Sequence, residues 1–338
     1  AKILDKMAII RSVHHDRSSH DPSSHLVQTG YYKQGRKGSR NEMPCIGAVT
    51  AKLRGPNVVG MPGYVAVPRV MRNGGTAYLG NAYEPFETRG NPNKKNFTVN
   101  NLVLNKHLST ERLGDRQQLL TDLDAQRRIA DLHGASGAVD RFTLAAFELV
   151  TGDRARKAFD IQAEKGQVRD QYGRTTTGQS LLLARRLVEA GATFVTVRVG
   201  GWDDHSKIEK RMKAKGPAYD RGVAALITDL HARGLDQDVL VIAMGEFGRT
   251  PRVNRNAGRD HWGPCFTLTL AGGGIQGGRV VGTSDEWAAK PKDNPIGPKD
   301  FAATMFHLLG IDTEKLLYTL DKRPIKLLDG GRVIEELL

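Results

Sequence analysis

Carboxylate and imidazole residues recur at three places in this sequence, close to apolar, β-branched runs. Gly200-Gly-Trp-Asp-Asp-His205 follows the run 192–199, Gly245-Glu-Phe-Gly-Arg-Thr-Pro251 follows 239–244, and a further loop carries Gly258-Arg-Asp-His-Trp-Gly263. Neutral imidazole together with ionised carboxylate suits zinc, manganese or iron better than magnesium. Asp203 with His205, Glu246, and Asp260 with His261 would supply three to five ligands to such a divalent metal. A metal so held polarises an ester oxygen and lowers the pKa of bound water to about 7. Any one of these pairs alone is no more than the hydrogen-bonded turn that Asp and His commonly make in loops. It is their repetition after successive strands that points to a site.

Three further features bear on chemistry. The segment His14-His-Asp-Arg-Ser-Ser-His20-Asp-Pro-Ser-Ser-His25 is dense in nucleophile and ligand types directly after a strand, and reads otherwise as a polar loop. Arg249 and Arg252 would fork onto sulfate or phosphate oxygens, or pair with a neighbouring carboxylate, which suits Arg252 better. Trp202 and Trp262 would line a sugar or aromatic pocket, or pack beside the site. The run Gly272–Gly278 has strands on both sides and no following helix or Lys-Ser/Thr, so it reads as a hairpin or connection and not as a phosphate cradle.

These residues need a scaffold, and the hydrophobic pattern supplies one. A strand is expected over 7–13 and a short helix near 25–33. Residues 37–101 are rich in Gly, Pro and Asn and read as a looped insertion outside the sheet; 110–128, 137–150 and 153–160 have helical periodicity. The insertion as a whole runs from about 37 to 170 within a single domain spanning 1–338. Helices over 179–190 and 208–233, each closed by Gly and followed by strands over 192–199 and 239–244, repeat a helix-strand unit. Strands over 266–270 and 279–282 and a helix over 298–309 follow. Such alternation predicts an α/β fold with a largely parallel sheet covered on both faces. Ligands then collect beyond the C-terminal ends of the strands.

Composition narrows the function classes. Hydrophobic residues make up 39% and charged residues 26%, which describes a folded chain, and no segment approaches the roughly 20 apolar residues of a spanning helix. Cys45 and Cys265 are too few for a disulfide scaffold. Fifty Lys and Arg against 37 Asp and Glu leave a net charge of +13, which favours an anionic partner. The basic residues are dispersed, only 6% of residues are aromatic and no DNA or RNA module is present, so specific nucleic-acid binding is not expected. No signal peptide is visible, and the start at Ala1, running almost at once into a strand, reads as processed or truncated.

Five motifs together, Arg11-Ser-Val-His-His-Asp16, Gly173-Arg-Thr-Thr-Thr-Gly-Gln-Ser180, Gly201-Trp-Asp-Asp-His205, Met244-Gly-Glu-Phe-Gly-Arg-Thr-Pro251 and Gly258-Arg-Asp-His-Trp262, resemble the domain of unknown function 1501 family. That family comprises bacterial proteins, often with a twin-arginine export signal, related to sulfatases within the alkaline-phosphatase-like superfamily. The resemblance implies a three-layer α/β/α sandwich, a periplasmic or secreted protein, and a missing N-terminal segment whose first strand ends in an Asp-rich metal-binding position. His20-Asp-Pro-Ser-Ser24 before Thr29-Gly30 has the spacing of the sulfatase C-x-P-S-R segment, with His20 at the nucleophile's place and Ser24 at the Arg. This departs from formylglycine chemistry and makes His20 either a ligand or a direct nucleophile, with Ser19 and Ser23 as second choices. By the same resemblance Asp203, His205, Glu246 and His261 hold metal and Arg249 steadies the anion. The expected function is metal-dependent hydrolysis of a sulfate or phosphate ester on a small molecule or glycan. The alternative is a non-catalytic exported protein that binds acidic glycans or an envelope partner.

Overall fold

Alternation of side chains along a short buried strand joins the two halves of the molecule. In a computed structural model, which describes residues 2–35, 41–99 and 152–338, strand β1 (Ala8–Val13) is followed by helix α1 (His20–Thr29), α2 (Ile46–Leu53), β2 (Tyr64–Val67) and β3 (Phe86–Glu87). After them come α3 (Asp153–Phe159), α4 (Gly166–Tyr172), α5 (Thr176–Glu189), β4 (Phe194–Val197) and α6 (Ile208–Ala232). The C-terminal third holds β5 (Val241–Ala243), β6 (Gly248–Arg249), β7 (His261–Trp262), β8 (Phe266–Ala271), β9 (Val280–Val281), β10 (Thr283–Ser284), β11 (Pro291–Asp293), α7 (Pro298–Leu308), β12 (Leu316–Tyr318) and β13 (Pro324–Lys326). Every residue of β2 is buried, and successive side chains on a strand point to opposite faces. Tyr64 therefore enters a core built on β1, β8, α2 and α7, whereas Val65 and Val67 enter a second core with α3 to α6.

The sheets correct the expected architecture. The main sheet has the order β5-β8-β1-β9, and both pairings of β8 are antiparallel. Among the strands of the described residues, parallel pairing is confined to β1 with β9 and to a separate sheet of order β3-β2-β4, beside one isolated parallel bridge of Val13 with Ile296, and the remaining strands form two-stranded ribbons. The chain is thus neither the largely parallel sheet that the helix-strand alternation predicted nor the three-layer alkaline-phosphatase-like sandwich that the family resemblance implied. The reason lies between β5 and β8. A parallel return needs a crossover, usually a helix, and residues 244–265 contain none; the chain makes the β6–β7 ribbon there and comes back antiparallel. Alternation holds through β5 and stops.

Other expectations fare unevenly. Six strands and helices after residue 190 fall where the pattern placed them, within a few residues at the ends. The Gly- and Pro-rich stretch read as a loop outside the sheet contains β2, the middle strand of its sheet. A run of four residues flanked by Pro62-Gly63 and Pro68 is too short to show its period. The chain from Gly272 to Gly278 connects β8 to β9 across β1, so it is a connection and not a hairpin. The helical patterns at 110–128 and 137–150 lie outside the described residues. Helix α1 starts at His20, earlier than the apolar pattern indicates, because Ser19 supplies the extended N-cap and Pro22 in the first turn has no N–H to leave unpaired. Gly30, left-handed, closes it through an N–H donated to the Leu26 carbonyl.

Helix α6 leads out of the loop after β4, and its position depends on a buried cation. Arg185 on α5 is 1% exposed. Its Nη1 donates to Glu189 Oε2 at 2.6 Å, its Nη2 to Glu164, and its Nε lies 2.9 Å from Asp229 Oδ2 on α6, too poorly aligned for a hydrogen bond. Tyr172 Oη donates to the same Asp229 oxygen at 2.9 Å. Burial pushes the Glu164 pKa up, but hydrogen bonds and charge from Arg185 and Arg186 outweigh it and hold the group below its ordinary 4.5. A carboxyl so lowered stabilises the fold fully above the unfolded-state value, and the contribution disappears as pH falls through the folded value. Removing the guanidinium in Arg185→Met takes away the partner shared by Glu164, Glu189 and Asp229, which keep Arg186 or Arg233, and is expected to cost about 1–3 kcal/mol. Glu164→Gln should flatten the loss of stability between about pH 7 and about pH 3. Urea unfolding midpoints of the three proteins at both pH values check this; an acid loss as steep in Glu164→Gln as in the parent would contradict it.

Candidate metal centre

Three imidazoles meet one carboxylate where β1, β4 and β5 end and β8 begins. Because β8 runs antiparallel to its neighbours, its start and not its end lies at this edge, and the β6–β7 ribbon just before it brings His261 in. In that ribbon Arg249 and His261 are direct partners, and both reach Asp203. Asp203 stands in the loop after β4. Its neighbour Asp204 is 2% exposed, ion-paired to Lys215 and 3.5 Å from Arg211, both on α6. The Asp204 carbonyl accepts from the Arg259 N–H at 3.1 Å. The first turn of α1, which carries His20, is fixed from below by the buried pair of Asp21 and Lys33 at 2.8 Å.

The distances around Asp203 are those of a single cluster. His20 Nε2 is 3.1 Å from Oδ2; His261 Nε2 and His205 Nε2 are each 2.9 Å from Oδ1, and these two nitrogens are 3.1 Å apart. Ligand-type atoms of His20, Asp203 and His261 all fall within 4.8 Å of one another, while His205 joins through Asp203 and His261 and stands outside that group. Each ring's other nitrogen faces an oxygen: His20 Nδ1 donates to Glu246 Oε1 at 2.6 Å, His205 Nδ1 to Asp260 Oδ1 at 2.6 Å and His261 Nδ1 to the Ser18 carbonyl at 2.8 Å. A neutral imidazole carries one N–H. With that proton on Nδ1 in all three, each Nε2 presents a lone pair, and three lone pairs converge on an acceptor-only carboxylate. The arrangement is repulsive unless extra protons or a cation occupy the centre.

The cluster is anchored on every side. Arg249 Nη2 donates to Asp203 Oδ1 at 2.8 Å and to the Trp202 carbonyl at 3.0 Å, and Nη1 donates to the Arg259 carbonyl at 3.2 Å. Partial burial would raise the Asp203 pKa; hydrogen bonding by His261 and His20 when these are protonated, and by Arg249 with its charge, overcomes this and holds the carboxyl well below the usual range. Hydrogen bonds from His205 and Asn254 likewise keep Asp260 low. Phe247 stacks on His261 with ring centres 4.3 Å apart. His15 is buried, which pushes its pKa down and keeps it neutral; it donates from Nε2 to the Glu246 carbonyl at 2.7 Å and accepts from the Arg17 N–H at Nδ1.

All seven residues expected from the sequence, His20, Asp203, His205, Glu246, Arg249, Asp260 and His261, are therefore in one place. Ser23 is fully buried and Ser19 is exposed at the helix start. Arg252 is exposed on the outer loop, with no ion pair among the described residues. Trp202 packs edge-on to Tyr219, and the Trp262 indole donates to the Ala289 carbonyl. His15, Phe247, Asn254 and the Ser18 carbonyl were not singled out. Only Asn254 had a local signal, since the run Asn254-Arg-Asn-Ala-Gly258 is turn chemistry: its Oδ1 accepts from the N–H groups of Asn256 and Gly258.

The sequence matches the family described as "Protein of unknown function (DUF1501)" over residues 1–338. The chain belongs to the DUF1501 family. No functionally curated protein matches this DUF1501 chain. A solved structure titled "Crystal structure of Ps i-CgsB" is similar at 12% identity and a TM-score of 0.44, over 93% of this chain and 66% of that one. A likeness so distant carries no argument about activity.

Two glycines permit this packing, and they generate a test. A Cβ at Gly258 would overlap the His205 carbonyl, and one at Gly263 would overlap the Arg17 carbonyl and come within 2.8 Å of His15 Nδ1. At Gly200, in the loop after β4, a Cβ would meet no group beyond its chain neighbours. Gly258→Ala and Gly263→Ala should each lose about 1–3 kcal/mol, whereas Gly200→Ala should be neutral or gain about 0.4–1 kcal/mol. Thermal unfolding of the three variants checks this, and equal behaviour of all three would contradict the described packing.

Proposed function

We propose that His20, His205 and His261, through Nε2, and Asp203 hold a divalent transition metal, and that the protein hydrolyses sulfate or phosphate esters there. One observation carries this reading: each ring's Nδ1 proton is engaged by an oxygen, so all three Nε2 lone pairs turn toward Asp203. Outer oxygens that fix the tautomer of metal-binding histidines are a recurring device. Glu246 and Asp260, expected from the sequence to be ligands, act in this reading as those outer partners. Three nitrogens and a carboxylate suit zinc best, with manganese or iron as alternatives.

The bound metal would polarise an ester oxygen and generate hydroxide from water near neutral pH. The chain's own residues do the rest. Arg249 gives one of its five N–H donors to Asp203 and two to the Trp202 and Arg259 carbonyls, leaving two for an anionic ester. His20 serves as a ligand and not as a nucleophile, since its Nε2 faces the carboxylate at 3.1 Å. Four protein ligands close a tetrahedral shell, and catalytic sites keep a position open, so hydrolysis here requires a fifth position or a displaced ligand; the Asp203 and His205 side chains, 46% and 45% exposed, leave that side of the centre accessible to water and an ester. The net charge of +13 and the sulfatase-like spacing of His20 to Gly30 support an anionic ester as substrate. Export rests on resemblance to the family; no helix among the described residues is long and apolar enough to cross a membrane.

Plasma mass spectrometry should find about one metal per chain, lost in the His205→Ala/His261→Ala variant at unchanged fold. Asp260→Ala should weaken metal binding about 10–100-fold, and binding should weaken as pH is lowered because protons compete for the same lone pairs. Metal-loaded protein should turn over nitrophenyl sulfate or phosphate. Stoichiometric metal without turnover of either ester would contradict the hydrolase reading, and no metal after reconstitution would contradict the site itself.

A further inference from the structure

Beside the cluster, the start of α6 and the loop 250–258 form a corner whose charge is almost all of one sign. Lys207 and Lys210 stand at the N-terminal end of α6, and Arg252 and Arg255 flank Asn254 on the loop; all four are exposed. Two backbone hydrogen bonds join these pieces, from Lys207 N–H to the Asn256 carbonyl at 3.0 Å and from Ile208 N–H to the Ala257 carbonyl at 2.8 Å. Asn254, between the two arginines, donates from Nδ2 to the His205 carbonyl at 3.1 Å and to Asp260. The corner is therefore the rim of the metal centre.

The nearby acids are already committed. Asp204 is buried against Lys215 and Arg211, Glu209 pairs with Lys213 at 2.6 Å, and Asp260 holds His205. Among the described residues no carboxylate lies within ion-pair distance of Lys207, Lys210, Arg252 or Arg255. Four unpaired cations on one corner repel one another and attract anions. One ester group seated on Asp203 and His205 cannot meet all four, so they fit a partner with several anionic groups in succession. No aromatic residue stands among them in 207–213 or 250–258. Single-stranded nucleic acid is ordinarily gripped by stacking its bases on aromatic rings, whereas sulfate groups on a sugar chain need only guanidinium and ammonium donors.

We infer that this corner is the docking surface for a multiply sulfated polysaccharide, whose charged chain lies along Lys207, Lys210, Arg252 and Arg255 as it reaches the metal centre. The inference deepens the proposed ester hydrolysis and rests on it for its purpose, but binding is read apart from turnover. The experiment is calorimetric titration with heparin, fully desulfated heparin and a single-stranded DNA oligonucleotide of the same charge. The proteins are the full chain, a variant with these four residues changed to Ala, and a control with Lys95, Arg154, Lys315 and Lys322 changed to Ala, which are also exposed. Heparin should bind, desulfated heparin should not, and affinity should fall with salt. The corner variant should lose roughly tenfold or more in affinity, as four exposed charge pairs would give, and the control less than about twofold. Equal losses in both variants, tighter binding of the DNA than of heparin, or no heparin binding would overturn the inference. Metal-free protein keeps heparin binding if the corner is right, whatever becomes of the hydrolase reading.

Discussion

A carboxylate that accepts from several sides and donates to none organises this molecule. Asp203 faces three imidazole nitrogens and a guanidinium, and the electrostatics of that meeting close only with positive charge at the centre. Protons on the rings or a metal ion both satisfy it. Oxygens on the outer side of each ring hold the Nδ1 protons in either case and turn the inward nitrogens to the centre, where the proposed reading places a metal. The rest of the fold can be understood as what is required to hold four side chains from distant parts of the sequence at this separation.

Each arm has its own support. His20 is held by the first turn of α1 and its buried Asp21–Lys33 pair, Asp203 by the inward turn of Asp204 toward α6, and His261 with Arg249 by the β6–β7 ribbon. Glu246 is held twice, by its carboxylate on His20 and by its carbonyl on His15. Helix α6 is in turn fixed to α5 through Arg185, and the two cores meet across β2. The centre is open to solvent even so, which is why its carboxylates and rings are positioned by many modest bonds and not by burial.

Much of the site was legible in the sequence because its residues sit immediately beside apolar runs, where strand ends deliver side chains to one edge. The runs before Gly200 and Gly245 gave Asp203, His205 and Glu246, and the charged loop before Phe266 gave Asp260 and His261. What composition cannot show is which nitrogen faces which oxygen, so the sequence could not separate Glu246 and Asp260 from the residues nearer the centre. Nor could it show His15 or the Ser18 carbonyl, whose roles depend on backbone proximity between residues more than two hundred positions apart. The fold was read less well. Helix-strand alternation up to β5 implied a parallel sheet, and the antiparallel return through 244–265 is signalled only by the lack of a helix there. Tyr64–Val67 was hidden by its flanking Gly and Pro.

The most direct test of the account is X-ray absorption spectroscopy of the zinc-loaded protein, read for the number and kind of scatterers around the ion. The account requires three imidazole nitrogens at about 2.0–2.1 Å with oxygen completing the shell, falling to two imidazoles in His205→Ala. A shell dominated by oxygen, or one unchanged when His205 is removed, would mean that the converging lone pairs are not a metal site.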